Sequence, residues 1–414
     1  MQGLLAAIRN RGLVALMFGH MTLDSYVGVL PVLYPLLIGR YHIDLVTVGL
    51  VSFAYQGMSS LSQPFFGLVA DRWGTRFVGG ALLWAAIWVA AIGFAPSLPL
   101  LIACAGVAGL GSGFFHPLGA VSVRRLLPDR GRSTAMSLYV SGGTFGVAIG
   151  PLLGVFAFGL LAIRGTILLL IPGALFSCFL LLWMRGKGRA APGRRAVVAP
   201  PGAGAGGALP LVPLVATIVL TMSRSWTTFT LEAFIPTWYH QLGYGPWFYG
   251  ALASTLVLAS AVGTVGCGTL ADRFGRRLIV IVALVLSVPA VLLFVAFPGP
   301  EAFVTAVLVG FLAASTAPLM LMMAQELVSQ RAGLASGLIL GIGFLTGAVG
   351  VPVTGLVGDS LGLQAALLLQ VLVVVITIPI SFFLPSERFL RGLRGPAPEI
   401  EQPAPVPAGA GGGS

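Results

Sequence analysis

Apolar residues in this chain come in long unbroken blocks, not in the alternating or striped patterns of water-soluble strands and helices. Twelve blocks can be drawn, at 13–39, 46–70, 77–96, 98–123, 133–161, 165–184, 210–239, 246–271, 278–297, 301–325, 332–357 and 363–384. Each is near the ~20 residues that carry a helix across a bilayer. Lipid offers backbone amides no hydrogen-bond partners, so the blocks are predicted to be helices and the chain to cross a membrane twelve times.

The pattern also repeats. Gly67 to Arg76 reads GLVADRWGTR, and 201 residues later Gly268 to Arg277 reads GTLADRFGRR. Pro117 and Pro318, Arg130 and Arg331, Gly146 and Gly347, Pro151 and Pro352, and Gly154 and Gly355 keep the same offset. Small residues are common in membrane helices, but their abundance explains single matches and not a shared register. The chain therefore reads as an all-α membrane protein of two pseudo-symmetric six-helix bundles, 1–185 and 210–390. Residues 186–209, rich in Gly, Pro, Ala and Arg, read as the linker, and 391–414 as a disordered tail. Duplicated halves of this kind build transporters with the substrate path at the seam.

Composition agrees. Hydrophobic residues make up 57 % of the chain and charged residues 8 %, with mean hydropathy +0.99. A soluble domain carries about 25 % charged residues, so charge here is too scarce to coat a water-facing surface. The net charge of +11 would suggest nucleic acid until it is mapped. Nearly every Lys and Arg falls on alternate loops, with Arg40 and Arg164 as the exceptions. That asymmetry places both termini in the cytoplasm, predicts a multi-pass protein of the inner (plasma) membrane, and removes nucleic acid as a partner. No cleavable signal peptide is expected. Cys104, Cys178 and Cys267 lie inside apolar runs without ligand spacing, and no metal site is expected.

Ionisable residues inside the blocks are few and expensive, so they mark function or mutual pairing. His20 and Asp24 lie one helical turn apart, and a carboxylate beside an imidazole can relay protons. A buried pair that only fixes packing is the bland alternative. His116, before Pro117, suits either proton handling or capping of carbonyls freed by the kink. Arg224 and Glu232 lie in the seventh block. Asp24 maps by the repeat onto Ser225, which suggests that Asp24 and Arg224 face each other across a cavity; Glu232 is the alternative partner of Arg224. The proton-coupling candidates are therefore Asp24, His20, His116 and Glu232. Arg224, Gln56, Gln63, Tyr139 and Trp226 are candidates for the substrate path. Gln56, Ser59, Ser60 and Gln63 form a polar stripe at helical spacing, suited to cavity lining or to interhelical hydrogen bonds.

Two further patterns bear on motion. In the repeated decapeptide, Gly67 and Gly74 permit close packing and a tight turn. Asp71, Arg72 and Arg76, with Asp272, Arg273 and Arg276 in the second copy, can form a charge latch between halves; solvated loop charges are the simpler alternative. Gly142, Gly146, Gly150 and Gly154, with Pro151 among them, share one helix face and allow a very close neighbour.

At these residues the chain resembles the major facilitator superfamily. GLVADRWGTR is similar to the superfamily's loop motif between helices 2 and 3, and GTLADRFGRR to its counterpart between helices 8 and 9. The segment from Gly146 to Gly154 resembles the helix 5 motif of antiporters, with Val155 in place of the usual final Gly. His20-Met-Thr-Leu-Asp24, Gln63-Pro64, Phe115-His116-Pro117 and Ala324-Gln325-Glu326-Leu327 resemble the fosmidomycin-resistance branch. The resemblance implies a monomeric secondary transporter, driven by the proton gradient without a cofactor. It implies export of small organic compounds or drugs by proton antiport and alternating access. The alternative is proton symport or facilitated import of a polar metabolite such as a sugar or an organic anion. No HExxH or GxxxxGK[ST] motif is present, so neither an enzyme nor an ATP-driven pump is expected.

Overall fold

The computed structural model describes residues 10–126, 132–184, 210–313, 316–328 and 332–393. All the regular structure among them is helical. The helices are α1 (Arg11–Tyr41), α2 (Leu45–Trp73), α3 (Val78–Ile92), α4 (Leu98–Leu126), α5 (Arg132–Leu161), α6 (Leu170–Met184), α7 (Leu211–Gln241), α8 (Pro246–Phe274), α9 (Arg276–Ala296), α10 (Ala302–Ala313), α11 (Ala317–Leu327), α12 (Ala332–Leu361), α13 (Leu363–Ser381) and α14 (Glu387–Leu393). Eight described stretches are long and apolar enough to cross a bilayer, and one of them, Ala135–Trp183, covers two of the predicted spans.

The departures from the predicted spans have local causes. The third is a 15-residue helix, Val78–Ile92, shorter than the apolar block because the chain turns at Gly93. The sixth opens with a 3₁₀ segment, Ala162–Leu169. The tenth consists of α10 and α11, with Pro318 in the first turn of α11. The seventh, α7, is long but too rich in Ser and Thr to count as apolar, and α2 carries its polar stripe. The expected linker lies outside the described residues, whereas the expected tail begins inside α14.

Helix ends are satisfied locally. Asn10 accepts from Gly12 N and Leu13 N at the start of α1, and Asp44 accepts from Thr47 N at the start of α2, the usual use of a short polar side chain before a helix. The two copies of the decapeptide each end a helix on a glycine in the left-handed half of backbone space, Gly74 at φ 77° and Gly275 at φ 92°. A side chain there would be strained, which is why the repeat keeps glycine at the reversal.

The closest packing pairs α1 with α5. A Cβ placed on Gly142, Gly146 or Gly150 would run into the backbone carbonyls of Met17, Met21 and Ser25 respectively. Three glycines four apart thus press on three carbonyls four apart. Gly154, the fourth, meets only side-chain atoms at closest approach, Phe158 Cε2 at 3.3 Å and Val29 Cγ1 at 3.4 Å, which can give by a few tenths of an ångström.

The two sets of helices, α1–α6 and α7–α13, meet through a pair of equivalent contacts. Gly49 of α2 packs on Pro352 of α12, and Gly250 of α8 packs on Val155 and Pro151 of α5. Gly49 and Gly250, like Pro151 and Pro352, are related by the 201-residue offset. Both contacts lie at the end away from Arg72, Arg76, Arg273 and Arg276. There Asp359 reaches across the seam from α12 to the first turn of α2, accepting from Leu45 N at 2.8 Å and Val46 N at 3.0 Å. With Asp44 taking Thr47 N, the first three amides of α2 are all satisfied. Toward the arginine-rich end the same two helices lose their neighbours. Gly67 and Gly268 have nothing within 4 Å of a would-be Cβ, and Leu61, Phe65, Leu68, Val262 and Val265 are exposed. Among the described residues, the glycine–proline and Asp359 contacts across the seam therefore all lie at one end.

Candidate functional site

Asp24 sits mid-way along α1, a helix whose face toward α5 is nearly all backbone. The glycines of α5 bring that helix so close that Tyr139 and Gly143 lie directly over the polar turn of α1. His20 Nε2 is 3.1 Å from Asp24 Oδ2, and His116 Nε2, from α4, is 3.4 Å from Asp24 Oδ1. The two imidazoles thus use different oxygens of one carboxylate. Each ring is fixed from behind. His20 Nδ1 is 2.8 Å from the Tyr139 carbonyl oxygen, and His116 Nδ1 is 2.8 Å from the Ser112 carbonyl oxygen.

The surroundings are tight and graded. The Tyr139 ring stacks on His20 with centroids 4.2 Å apart, and a Cβ on Gly143 would stand 2.6 Å from His20 Cε1. Side-chain exposure rises from 7 % at His20 through 14 % at Asp24 to 30 % at His116. His116 is therefore the wet edge of the cluster and His20 its dry floor. The nitrogen and oxygen atoms of the three residues lie within 4.8 Å of one another, a spacing that lets them share one small cation, a proton included.

Three expectations meet in this cluster. His20 and Asp24 pair as their spacing suggests. His116 has one nitrogen on a carbonyl in the turn before Pro117 and the other beside the carboxylate, a placement compatible with either role considered for it. Tyr139, taken as a substrate-path residue, is instead part of the cluster: it is buried, and its backbone anchors His20. The charges acting on Asp24 are the two histidines, so the pairing of Asp24 with Arg224 is replaced. Arg224 and Glu232, two turns apart on α7, are each other's charge neighbours, and Arg224 Nη2 also donates to Ser225 Oγ at 3.2 Å.

Glu232 lines a separate crevice between the halves, together with Gln56, Ser52 and Tyr34 from the first half and Phe229 and Leu256 from the second. The space there is ≈ 30 Å³, enough for a water or two and too small for an organic solute. Gln63 lies two turns beyond Gln56, toward the arginine-rich end, and does not line this crevice. Trp226 is tied into packing instead of a cavity wall. Its Nε1 donates to Thr354 Oγ1 at 2.9 Å, Gly350 lies against its ring, and Thr230 and Gln370 join the same hydroxyl.

The decapeptides differ in what their charges do. Arg276 forms a two-sided clamp: Nη1 and Nη2 donate to Glu326 at 3.0 Å each, and Nε and Nη2 donate to Glu387 at 2.9 Å each. This joins α9, α11 and α14 within the second half. Arg72, Arg76 and Arg273 each lie over the aromatic ring that follows them, Trp73, Phe77 and Phe274. Asp71 and Asp272 are exposed and in no ion pair among the described residues. Among the described residues none of these charges pairs across the halves. Glu387 and Asp359 escaped the sequence reading, and Glu326 entered it only within the phrase Ala324–Leu327, with no partner named. Each is a lone carboxylate at the margin of an apolar block, a signal as sparse as the one that drew attention to Asp24.

The description Major Facilitator Superfamily matches this chain at residues 15–255 and 214–409. An uncharacterized MFS-type transporter, YfnC, of Bacillus subtilis (strain 168) is 30 % identical over 392 residues, covering 90 % of this chain and 92 % of the relative. The fosmidomycin resistance protein of Escherichia coli (strain K12) is 25 % identical over 388 residues, again covering 90 % and 92 %. Among solved structures, a bacterial homologue of the human lysosomal transporter Spinster, inward-facing and occupied, superposes with TM-score 0.77 at 17 % identity, covering 89 % of this chain and 95 % of that one.

Proposed function

We infer that this chain, which belongs to the Major Facilitator Superfamily close to its fosmidomycin-resistance branch, is a proton-coupled antiporter exporting small organic compounds. It is a multi-pass membrane protein of a transporter family whose members handle small-molecule substrates. What the cluster adds is a group able to exchange a proton inside the membrane. Asp24 is the observation that carries the reading: a shielded carboxylate whose neighbouring charges are two imidazoles and no Lys or Arg. A carboxylate held by a fixed cation is balanced without protons, whereas this one is balanced by protons on the imidazoles beside it.

Export is read from the likeness to the fosmidomycin resistance protein. With the arginine-rich end in the cytoplasm, the seam contacts described above lie on the outer side, which suits a state in which an exporter collects cargo. In the cycle, cargo enters from the cytoplasm, the halves rock, and the Gly49–Pro352 and Gly250–Pro151 contacts part. Protons then reach the cluster from outside, and the return swing delivers them inward. Asp71, Arg72, Arg76, Asp272 and Arg273 are left without partners across the seam in this state. They engage when the arginine-rich end closes.

The test is a vesicle assay. Purified protein in liposomes with an internal pH dye and an imposed pH gradient is challenged with a compound panel that starts with fosmidomycin. Wild type should move protons when a cargo is present, and Asp24→Asn should not, at equal purified yield. Undiminished coupled movement by Asp24→Asn would remove Asp24 from the mechanism. Cargo movement indifferent to the gradient would favour facilitated diffusion.

A further inference from the structure

The two rings around Asp24 are oriented in a way that determines how many protons the cluster takes. A carbonyl oxygen only accepts hydrogen bonds. Since His20 Nδ1 and His116 Nδ1 each stand 2.8 Å from one, both Nδ1 atoms carry hydrogen whether the ring is neutral or charged. In a neutral ring Nε2 is then a bare lone pair. Both Nε2 atoms lie close to carboxylate oxygens, which are also lone pairs, at 3.1 Å and 3.4 Å, and the buried His20 Nε2 has no other partner among the described residues. Without a hydrogen between them, such contacts are repulsive, and shielding from water makes the repulsion worse.

We propose that the cluster is a two-proton store, with one exchangeable proton in each Nε2···carboxylate contact, so that the pair and not Asp24 alone is the unit that loads and discharges. The contacts use separate oxygens, so both protons fit at once. Filled, the cluster is two imidazoliums on one carboxylate; emptied of one, it is neutral; emptied of both, it is an anion facing two lone pairs. The other titratable groups facing the carboxylate are the hydroxyls of Tyr55 on α2 and Tyr139 on α5. Neither brings a positive charge, so among the described residues protons are what balances Asp24. The exposure gradient gives an order: protons come and go by way of His116, and His20 fills behind it. This deepens the antiport reading and rests on it for its meaning in transport.

The chain's remaining histidines, His42 and His240, lie outside the cluster. His42 stands at φ 52°, a conformation asparagine tolerates. A His42→Asn, His240→Asn protein with ¹⁵N-labelled histidine, reconstituted in lipid, leaves only the two cluster rings for nitrogen NMR across a pH series. Expected are two rings with hydrogen on Nδ1 at every pH, both gaining a second hydrogen on Nε2 as the pH falls. Asp24→Asn should keep the Nδ1 hydrogens while neither ring is doubly protonated at the pH where the parent protein is filled. His116→Gln should leave one exchangeable proton. A neutral ring carrying its hydrogen on Nε2, a parent protein in which only one ring ever becomes doubly protonated, or Asp24→Asn with both rings still charged would each overturn the proposal. The measurement needs no cargo. A protein that passes it but shows no dye response in vesicles keeps the store and loses the transport reading; the converse result loses the store alone.

Discussion

Removing the Asp359 carboxylate should open the end of the molecule that is now closed. Asp359 crosses the seam to accept from the amides of Leu45 and Val46, groups that no residue within α2 can satisfy. A hydrogen bond to a charged group contributes about 1.5–3 kcal/mol. One of the two bonds here is solvent-exposed, so about 2 kcal/mol for the pair is a fair figure, or roughly a 25-fold change in the balance between closed and open forms. Because the bonds exist only while α2 and α12 touch, their loss penalises the closed form alone. Asp359→Ala leaves Asp44 and Thr47 undisturbed, so α2 itself should stay folded. The assay is double electron–electron resonance in a cysteine-free background, with spin labels at Arg40 and Leu242. Both sites are exposed at the closed end, one in each half. A longer-distance population should grow in Asp359→Ala, with a matching approach of labels placed at the arginine-rich end. Unchanged distances at both ends would show that the glycine–proline contacts hold the seam unaided and that the cap is decorative.

Gly146→Val should cost correctly folded protein outright, since its side chain would meet the Met21 carbonyl; the monodisperse fraction on size exclusion reads this. Gly154→Ala, where only side-chain atoms lie close, should be tolerated in the same assay. Arg276→Lys should lower the melting temperature by a few degrees, because one ammonium cannot reproduce two forked contacts with Glu326 and Glu387. Partial exposure of Glu387 keeps the loss near 1 kcal/mol.

Much of this arrangement was legible before any coordinates. Block length and the 201-residue register point to the all-helical membrane fold and to the paired glycine turns at Gly74 and Gly275, because these depend on local chain properties and on the solvent. His20 and Asp24 were legible as a pair for the same reason, being one turn apart. His116 was visible as a suspect but not as a partner, since nothing in sequence fixes how α4 is rotated against α1. Arg224 misled through symmetry. The repeat aligns Ser225 with Asp24, yet one helix position is about 100° of rotation, and Arg224 keeps company with Glu232 instead. Tyr139 and Trp226 failed as cavity residues because an aromatic ring looks the same in sequence whether it walls a space or fills one. The clamp on Arg276 required knowing that the segment after the last span folds back as α14.

The seam contact has a wider reach. Each half carries both members of the fit, a hollow at Gly49 or Gly250 and a prow at Pro151 or Pro352. The first half's hollow takes the second half's prow, and the reverse, so the joint is reciprocal. A chain of half this length would own everything needed to mate with a twin of itself. Fusion of two such chains would have preserved the joint while freeing each side to change on its own.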